Sequence, residues 1–303
     1  MHRSIILAAF AALLGCAFRV SSQDAPSGRV RELAPGVFYW QGDLATHRQT
    51  NCAWVVFRDW VLVIDANFPW GAREILADLK KTTNKPVRFV WDTHYHADHA
   101  YGNTIFVDAG AAVVCSEDCG WESRAKGQRD VENQAKEGHA EPLEHPSVMF
   151  ESRLVFDDGD KRVELTKVGP AHTRGDGIAY LPKEKILFVG DLAVNWPDGN
   201  NLSDVDADHA NWVRVLDRLL KMDARIVVPA HGGLGNMATL QGQRGYLGDM
   251  LQKVEEGIRA GKTVDQVSQE IDLTKYQPFG AEPRRTQGQV RTMYRALAAT
   301  PRK

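Results

Sequence analysis

Cysteine is scarce: 303 residues carry four, and one of them, Cys16, lies in an N-terminal apolar stretch. The other three, Cys52, Cys115 and Cys119, are an odd number, which excludes a disulfide framework as the basis of the fold. A Cys115–Cys119 pairing stays open, because spacing fixes neither strand-end nor helix-start geometry. The reading adopted is three small buried residues, none at a ligand position. Excess charge of either sign is missing too. Lys and Arg number 37 against 39 Asp and Glu, for a net charge of -2, so no positive field draws the chain toward nucleic acid. The basic tail Pro301-Arg302-Lys303 is too short to change that. Low-complexity tracts, short repeats and glycine-rich phosphate loops are absent, and no serine or cysteine stands in a nucleophile motif. The remaining composition, 43% hydrophobic and 25% charged, is that of a globular enzyme with a substantial core.

The longest apolar run stands at the start. His2 and Arg3 precede Ile5 to Leu14, and small residues follow. This describes a secretory signal over residues 1–22, too short for a comfortable membrane span. Leu13-Leu14-Gly15-Cys16 resembles a bacterial lipobox, in which the cysteine is lipidated and attaches the chain to a membrane. Ordinary cleavage near Ala17 or beyond is the alternative. The expectation is an exported protein, periplasmic, lipid-anchored to the cell envelope or secreted, with its enzyme domain over residues 30–300.

From Gly36 onward the pattern turns to β. Val37 to Trp40 reads as a strand, and the apolar runs Cys52 to Phe57 and Trp60 to Ile64 read as a hairpin turning at Arg58-Asp59. Pro69 to Lys81 carries a helical face and a basic end. Strands follow at Val87 to Trp91 and Ala111 to Cys115. Residues 120–147 are polar and read as a solvated helix and loop, either a cap over the active site or a plain surface helix. Strand signals resume at Val148 to Phe150, Arg153 to Phe156, Val163 to Val168, Gly177 to Leu181 and Lys185 to Val189. An amphipathic helix over Asp206 to Met222 precedes a strand at Arg225 to Val228. Helices then cover Asn236 to Ala260, Val264 to Glu270 and Gln287 to Ala298. Two similar blocks of strands and helices suit two packed sheets with helices outside.

The chemistry is concentrated in Thr93-His94-Tyr95-His96-Ala97-Asp98-His99, four candidate ligands in six residues at the end of a strand. Imidazole nitrogen and carboxylate oxygen are the donors that borderline divalent ions prefer. Three further segments end strands with such donors: Gly169-Pro170-Ala171-His172-Thr173, Phe188-Val189-Gly190-Asp191 and Val228-Pro229-Ala230-His231-Gly232-Gly233. Functional groups gather where scaffold strands end in loops.

These pieces, in this order, resemble the metallo-β-lactamase superfamily. The resemblance implies an α/β (α+β) chain folded as a four-layer αββα sandwich, with two zinc ions per chain at one edge. By position, His94, His96 and His172 would bind the first metal, Asp98, His99 and His231 the second, and Asp191 both. A water shared by two such ions ionises near pH ~7. The implied activity is hydrolysis by a hydroxide held between the ions, with Asp98 orienting it or passing its proton to the leaving group. Asp65 reads as a support of the ligand loop or as a solvated strand-end residue.

Substrate signals are thinner. The dizinc β-lactamases of the best-known subclass carry Cys where Asp191 stands and a substrate-binding Lys where Val194 stands. The hydroxyacyl-glutathione hydrolases share all seven ligands, but their basic glutathione-binding residues have no clear match here. A small ester, lactone or amide is the expected substrate, a β-lactam a lesser one. His47, in a loop between early strands, and Asn195 and Trp196, after the bridging Asp191, are candidate substrate contacts; Asn200-Asn201 would extend that wall. His139, His145 and His209 read as surface histidines. The alternative activity is that of a mono-iron persulfide dioxygenase-like oxidoreductase, using His94, His172 and Asp191.

Overall fold

The computed structural model describes residues 30–43, 45, 49–136, 141–195, 202, 206–276 and 282–299. The signal segment with Cys16, and His47, His139, Trp196, Asn200 and Asn201, lie outside the described residues.

Seven strands form the first sheet: β1 (Val30–Ala34), β2 (Val37–Trp40), β3 (Cys52–Val56), β4 (Val61–Ile64), β5 (Val87–Trp91), β6 (Ala112–Ser116) and β7 (Val148–Phe150), side by side in sequence order. β1 to β4 run antiparallel, and β4 to β7 run parallel. The second sheet has five: β8 (Arg153–Asp157), β9 (Arg162–Lys167), β10 (Gly177–Leu181), β11 (Ile186–Gly190) and β12 (Ile226–Pro229). Its strands alternate in direction except for the parallel pair β11 and β12.

Alternation along each strand decides which layer a side chain joins. In β3 and β4, Ala53, Val55, Leu62 and Ile64 face the second sheet and meet Leu165, Leu181, Ile186 and Phe188. Their neighbours Trp54, Val61 and Val63 face outward onto helix α1 (Pro69–Thr82), through Ala72, Ile75 and Leu79. In β11, Ile186 and Phe188 join the inter-sheet core. Leu187 and Val189 join the outer layer, with helices α5 (His209–Leu219), α6 (Met237–Arg259), α7 (Val264–Glu270) and α8 (Pro283–Ala299). Burial on both faces is why these strands read as unbroken apolar runs. The result is the expected four-layer αββα sandwich.

Several boundaries differ from expectation for local reasons. β1 precedes Gly36; it is a half-exposed edge strand containing Arg31 and Glu32, so it shows no apolar alternation. β11 starts at Ile186 because Lys185 is left-handed, with φ 58°, and belongs to the turn. α5 starts at His209, where Asp208 caps it by accepting from Asn211 N at 2.8 Å. Two short helices follow β5, α2 (Ala97–Ala100) and α3 (Asn103–Asp108). α4 (Glu117–Lys136) is only partly solvated: Cys119, Glu122 and Ser123 are buried while Trp121 is exposed. Among the described residues no helix is long and apolar enough to cross a membrane.

Candidate metal centre

The parallel strands β4 and β5, and β11 and β12, all end at the same edge of the sandwich. Each releases its next residues into a loop there: Asp65 after β4, Asp92 to His96 after β5, Asp191 after β11 and His231 after β12. The turn between β9 and β10 adds His172. The seven candidate residues expected from sequence thus meet, although they are spread from position 94 to position 231.

They meet as overlapping groups, His94–His96–His172, His94–His99–Asp191 and Asp98–His99–His231, with ligand atoms in each group within 4.8 Å of one another. His96 Nδ1 lies 3.0 Å from His94 Nε2 and 3.1 Å from His172 Nε2. Asp98 Oδ2 lies 3.2 Å from His231 Nε2 and 3.5 Å from His99 Nε2. Asp191 stands between the two sets: its Oδ2 is 3.4 Å from His172 Nε2, and its Oδ1 is 3.1 Å from His231 Nε2. Asp191 Oδ1 and His99 Nε2 are 3.5 Å apart, buried, and without a hydrogen-bond partner. Buried polar atoms are rarely left unpaired, and two aimed at a common point among nitrogen and oxygen donors fit a divalent cation.

The loops are held by contacts that fix each ring. Asp65 is buried and left-handed, with φ 59°. It accepts from Thr93 N at 2.8 Å and Thr93 Oγ1 at 3.0 Å, and its Oδ2 is 3.0 Å from His99 Nδ1. A carboxylate at that distance holds a proton on Nδ1, so Nε2 is the nitrogen a metal would take, displacing the proton that His99 carries there in the metal-free site. Asp65 is therefore a buried support and not a solvated strand end. Gly190, with φ 52°, lets the chain pass Thr93: a Cβ there would lie 2.8 Å from Thr93 Oγ1.

The His231 loop is fastened from the opposite sheet. Asn51 Nδ2 donates to Pro229 O at 2.9 Å and Gly232 O at 2.7 Å, and Thr50 Oγ1 donates to Ala230 O at 2.8 Å. The candidate substrate contact Asn195 belongs to this fastening as well. Its Nδ2 donates to Gly233 O and Leu234 O at 3.1 Å, and its backbone N to His231 O at 2.9 Å. At the His172 turn, Asp176 accepts from Thr173 N at 2.9 Å and Thr173 Oγ1 at 2.7 Å. Asn51 and Thr50 carry no sequence signal of these roles. Asp176, close behind Thr173, is the sort of short polar turn residue that could have been noticed.

Charge separates strongly here in the metal-free protein. Burial, then the neighbouring rings of His99, His96 and His172, hold His94 well below the usual imidazole value. Burial pushes Asp98 upward, but the charges of His99 and His231 outweigh it and bring the carboxyl down to about 2. Burial likewise opposes the charge on His231, yet Asp191 and Asp98 raise it to about 9. Opposite charges thus crowd one buried space, which a multivalent cation would reorganise.

The remaining histidines divide. His145 is exposed, with Nδ1 2.9 Å from Ser123 Oγ. His209 departs from the surface expectation. It is buried at the start of α5, Nε2 2.9 Å from Leu202 O, because the helix packs that side inward. Cys52, Cys115 and Cys119 are free and buried.

The family model described as the metallo-beta-lactamase superfamily matches residues 45–231. A metallo-beta-lactamase type 2 from Bacillus sp. is 29% identical over 171 residues, covering 55% of this chain and 60% of that protein. The chain thus spans about 60% of the length of this relative. A solved metallo-beta-lactamase from Pontibacter korlensis superposes with TM-score 0.62 at 25% identity, covering 72% of this chain and 98% of that one. A stereoselective inverting sec-alkylsulfatase from Pseudomonas sp. shares the fold, with TM-score 0.72 at 17% identity, over 88% of this chain and 49% of that one.

Proposed function

Because this chain belongs to the metallo-beta-lactamase superfamily, we propose that it is a hydrolase working with two zinc ions on a small ester, lactone or amide. The observation that carries this reading is the position of Asp191, whose two carboxylate oxygens face the two ligand groups separately. His94, His96 and His172 would hold one ion and Asp98, His99 and His231 the other. Such a pair supplies Lewis acidity and a water ionised near pH ~7. The buried rings of His94, His99 and His172 fix the floor of the site. Asp98 is the less buried carboxylate, at 26% side-chain exposure, and would accept a proton from the attacking water and hand it to the leaving group. Val194 is buried and apolar, so it offers no cation to a substrate carboxylate; a β-lactam is a lesser substrate. The apolar run and small residues of positions 1–22 support export to the periplasm or envelope, with Cys16 as a lipid-anchoring point.

The test is elemental analysis of protein recovered from its own export pathway, with an Asp191→Ala variant beside it. About two zinc per chain, falling toward one or none in the variant, is expected. An intact mass lacking the first residues, with or without added lipid, is expected in the same sample. One iron per chain with little zinc would overturn the reading and favour oxidation of a persulfide. Hydrolysis is then read on esters, lactones, amides, β-lactams and alkyl sulfates.

A further inference from the structure

The three-histidine group and the Asp98–His99–His231 group share the support of Asp65, which holds Thr93 with its Oγ1 3.2 Å from His94 Nδ1, but otherwise lean on different parts of the molecule. Thr50, Asn51 and Asn195 brace the second. The first leans on α4, the helix that sequence leaves as either a cap or a plain surface element. Its start packs against the turn carrying His172 so closely that a Cβ on Gly175 would lie 2.3 Å from Cys119 N and 2.4 Å from Cys119 Cα. Ser116, just before the helix, donates through Oγ to Gly175 O at 2.8 Å.

One turn further on, Glu122 is fully buried. Its Oε2 accepts from Gly175 N at 2.9 Å and its Oε1 from Arg174 N at 3.3 Å. Lys126 Nζ lies 3.0 Å from Glu122 Oε1 and 2.7 Å from Asp206 Oδ2. Asp206 Oδ2 in turn accepts from Tyr95 OH at 2.7 Å. Tyr95 stands between His94 and His96 in the chain, and its ring centroid is 4.6 Å from that of His96. Both loops of the three-histidine group are therefore tied to one helix face, the His172 turn by Glu122 and the His94–His96 loop through Lys126, Asp206 and Tyr95.

A buried carboxylate is costly even when paired, and apolar residues of similar volume often stabilise as well or better. Glu122 therefore does something that packing alone would not. Its two oxygens fix the backbone two and three residues beyond His172, and groups that orient a ligand govern metal affinity. We propose that Glu122 is a positioning residue that sets the geometry of the three-histidine group, with Lys126, Asp206 and Tyr95 carrying the same constraint to the His94–His96 loop. This rests on the two-ion reading of the site.

The experiment is titration of the metal-free full-length protein with zinc, and in parallel with cobalt followed by its visible spectrum. His96→Ala and His231→Ala variants assign the two binding events. In Glu122→Gln, the event lost in His96→Ala should weaken by roughly 10–100-fold, while the other stays within about twofold. Tyr95→Phe should weaken the same event by less. An equal loss at both sites, or no loss at either, overturns the proposal, because a general loosening of the fold would not choose between them. If Glu122→Gln shows no cooperative thermal transition without metal, Lys126→Met and Tyr95→Phe decide by the same criterion. Should the wild type bind a single ion, the two-ion reading falls. The clamp then survives only if Glu122→Gln weakens that ion and Asn51→Ala, which among the ligand loops loosens that of His231 alone, does not.

Discussion

Replacing Asp65 by Asn changes one atom and tests the tautomer argument directly. In the native site Asp65 Oδ1 accepts from Thr93 N at 2.8 Å, and Oδ2 faces both Thr93 Oγ1 at 3.0 Å and His99 Nδ1 at 3.0 Å. An amide can keep its oxygen toward Thr93 N only by placing NH2 against His99 Nδ1. The ring must then carry its proton on Nε2, the atom that faces Asp98 and Asp191. The reverse orientation sets the amide NH2 against the Thr93 N–H. Either arrangement removes a hydrogen bond to a charged acceptor, a loss of about 1.5–3 kcal/mol. Orienting partners of metal-bound histidines are worth roughly 10–100-fold in affinity, which agrees with that range. The backbone should barely notice, since Asn tolerates the left-handed region that the φ of 59° requires. Asp65→Ala, by contrast, adds roughly 1–2 kcal/mol of left-handed strain and leaves a buried N–H unpaired, at about 1–3 kcal/mol. Zinc competition against a chromogenic chelator, with urea melts of the metal-free protein, separates the two effects. Asp65→Asn should weaken the Asp98–His99–His231 site and leave the urea midpoint nearly unchanged. Wild-type affinity at that site in Asp65→Asn would refute the tautomer argument. An Asp65→Ala midpoint equal to that of Asp65→Asn would refute the backbone argument.

Two other perturbations have definite signs. Gly190→Ala puts a side chain at φ 52° with its Cβ 2.8 Å from Thr93 Oγ1, combining roughly 1–2 kcal/mol of strain with about 1–3 kcal/mol of overpacking. A urea midpoint equal to wild type would contradict it. Burial above all, with the charges of Glu122 and Asp191 nearby, raises Asp176 from 3.8 to about 7 in the metal-free protein, against the two hydrogen bonds from Thr173. The folded state then holds a proton that the unfolded chain has released, so stability falls as pH rises from about 4 to 7, by up to about 4 kcal/mol. Asp176→Asn should flatten that slope in urea melts between pH 4.5 and 8; identical slopes would show that Asp176 does not cause it.

What sequence revealed and what it concealed follow the range of the contacts. His94, His96, Asp98 and His99 lie within one short segment, so their chemistry is visible without a fold. Strands such as Val87–Trp91 and Gly177–Leu181 carry their apolar pattern within themselves and begin and end where the sequence indicates. β1 has no such pattern because it is a half-exposed edge. Asp208 capping moved the start of α5, and the packing of that helix buries His209, neither of which composition expresses. The brace on the three-histidine group is harder still. Tyr95 and Asp206 are 111 positions apart, and Glu122 and Gly175 are 53 apart. Glu122 lies in a run of charged residues where a surface helix is the natural reading. A buried ion pair can be seen there only after the chain has been folded around it.

The bonds from Thr50 and Asn51 to the His231 loop join residues 178 to 181 positions apart, and this bears on the order of events during folding. A chain ordered only as far as β11 and the Asp191 that follows it already holds six of the seven donors, yet the strand that presents the last one is still missing. Contacts of such long range are slow to close. The donor set is therefore completed late, when β12 settles beside β11 and its loop reaches the opposite sheet. Until then the donors already in place make an incomplete set, and full affinity for a metal is gained only with the closing of the sandwich.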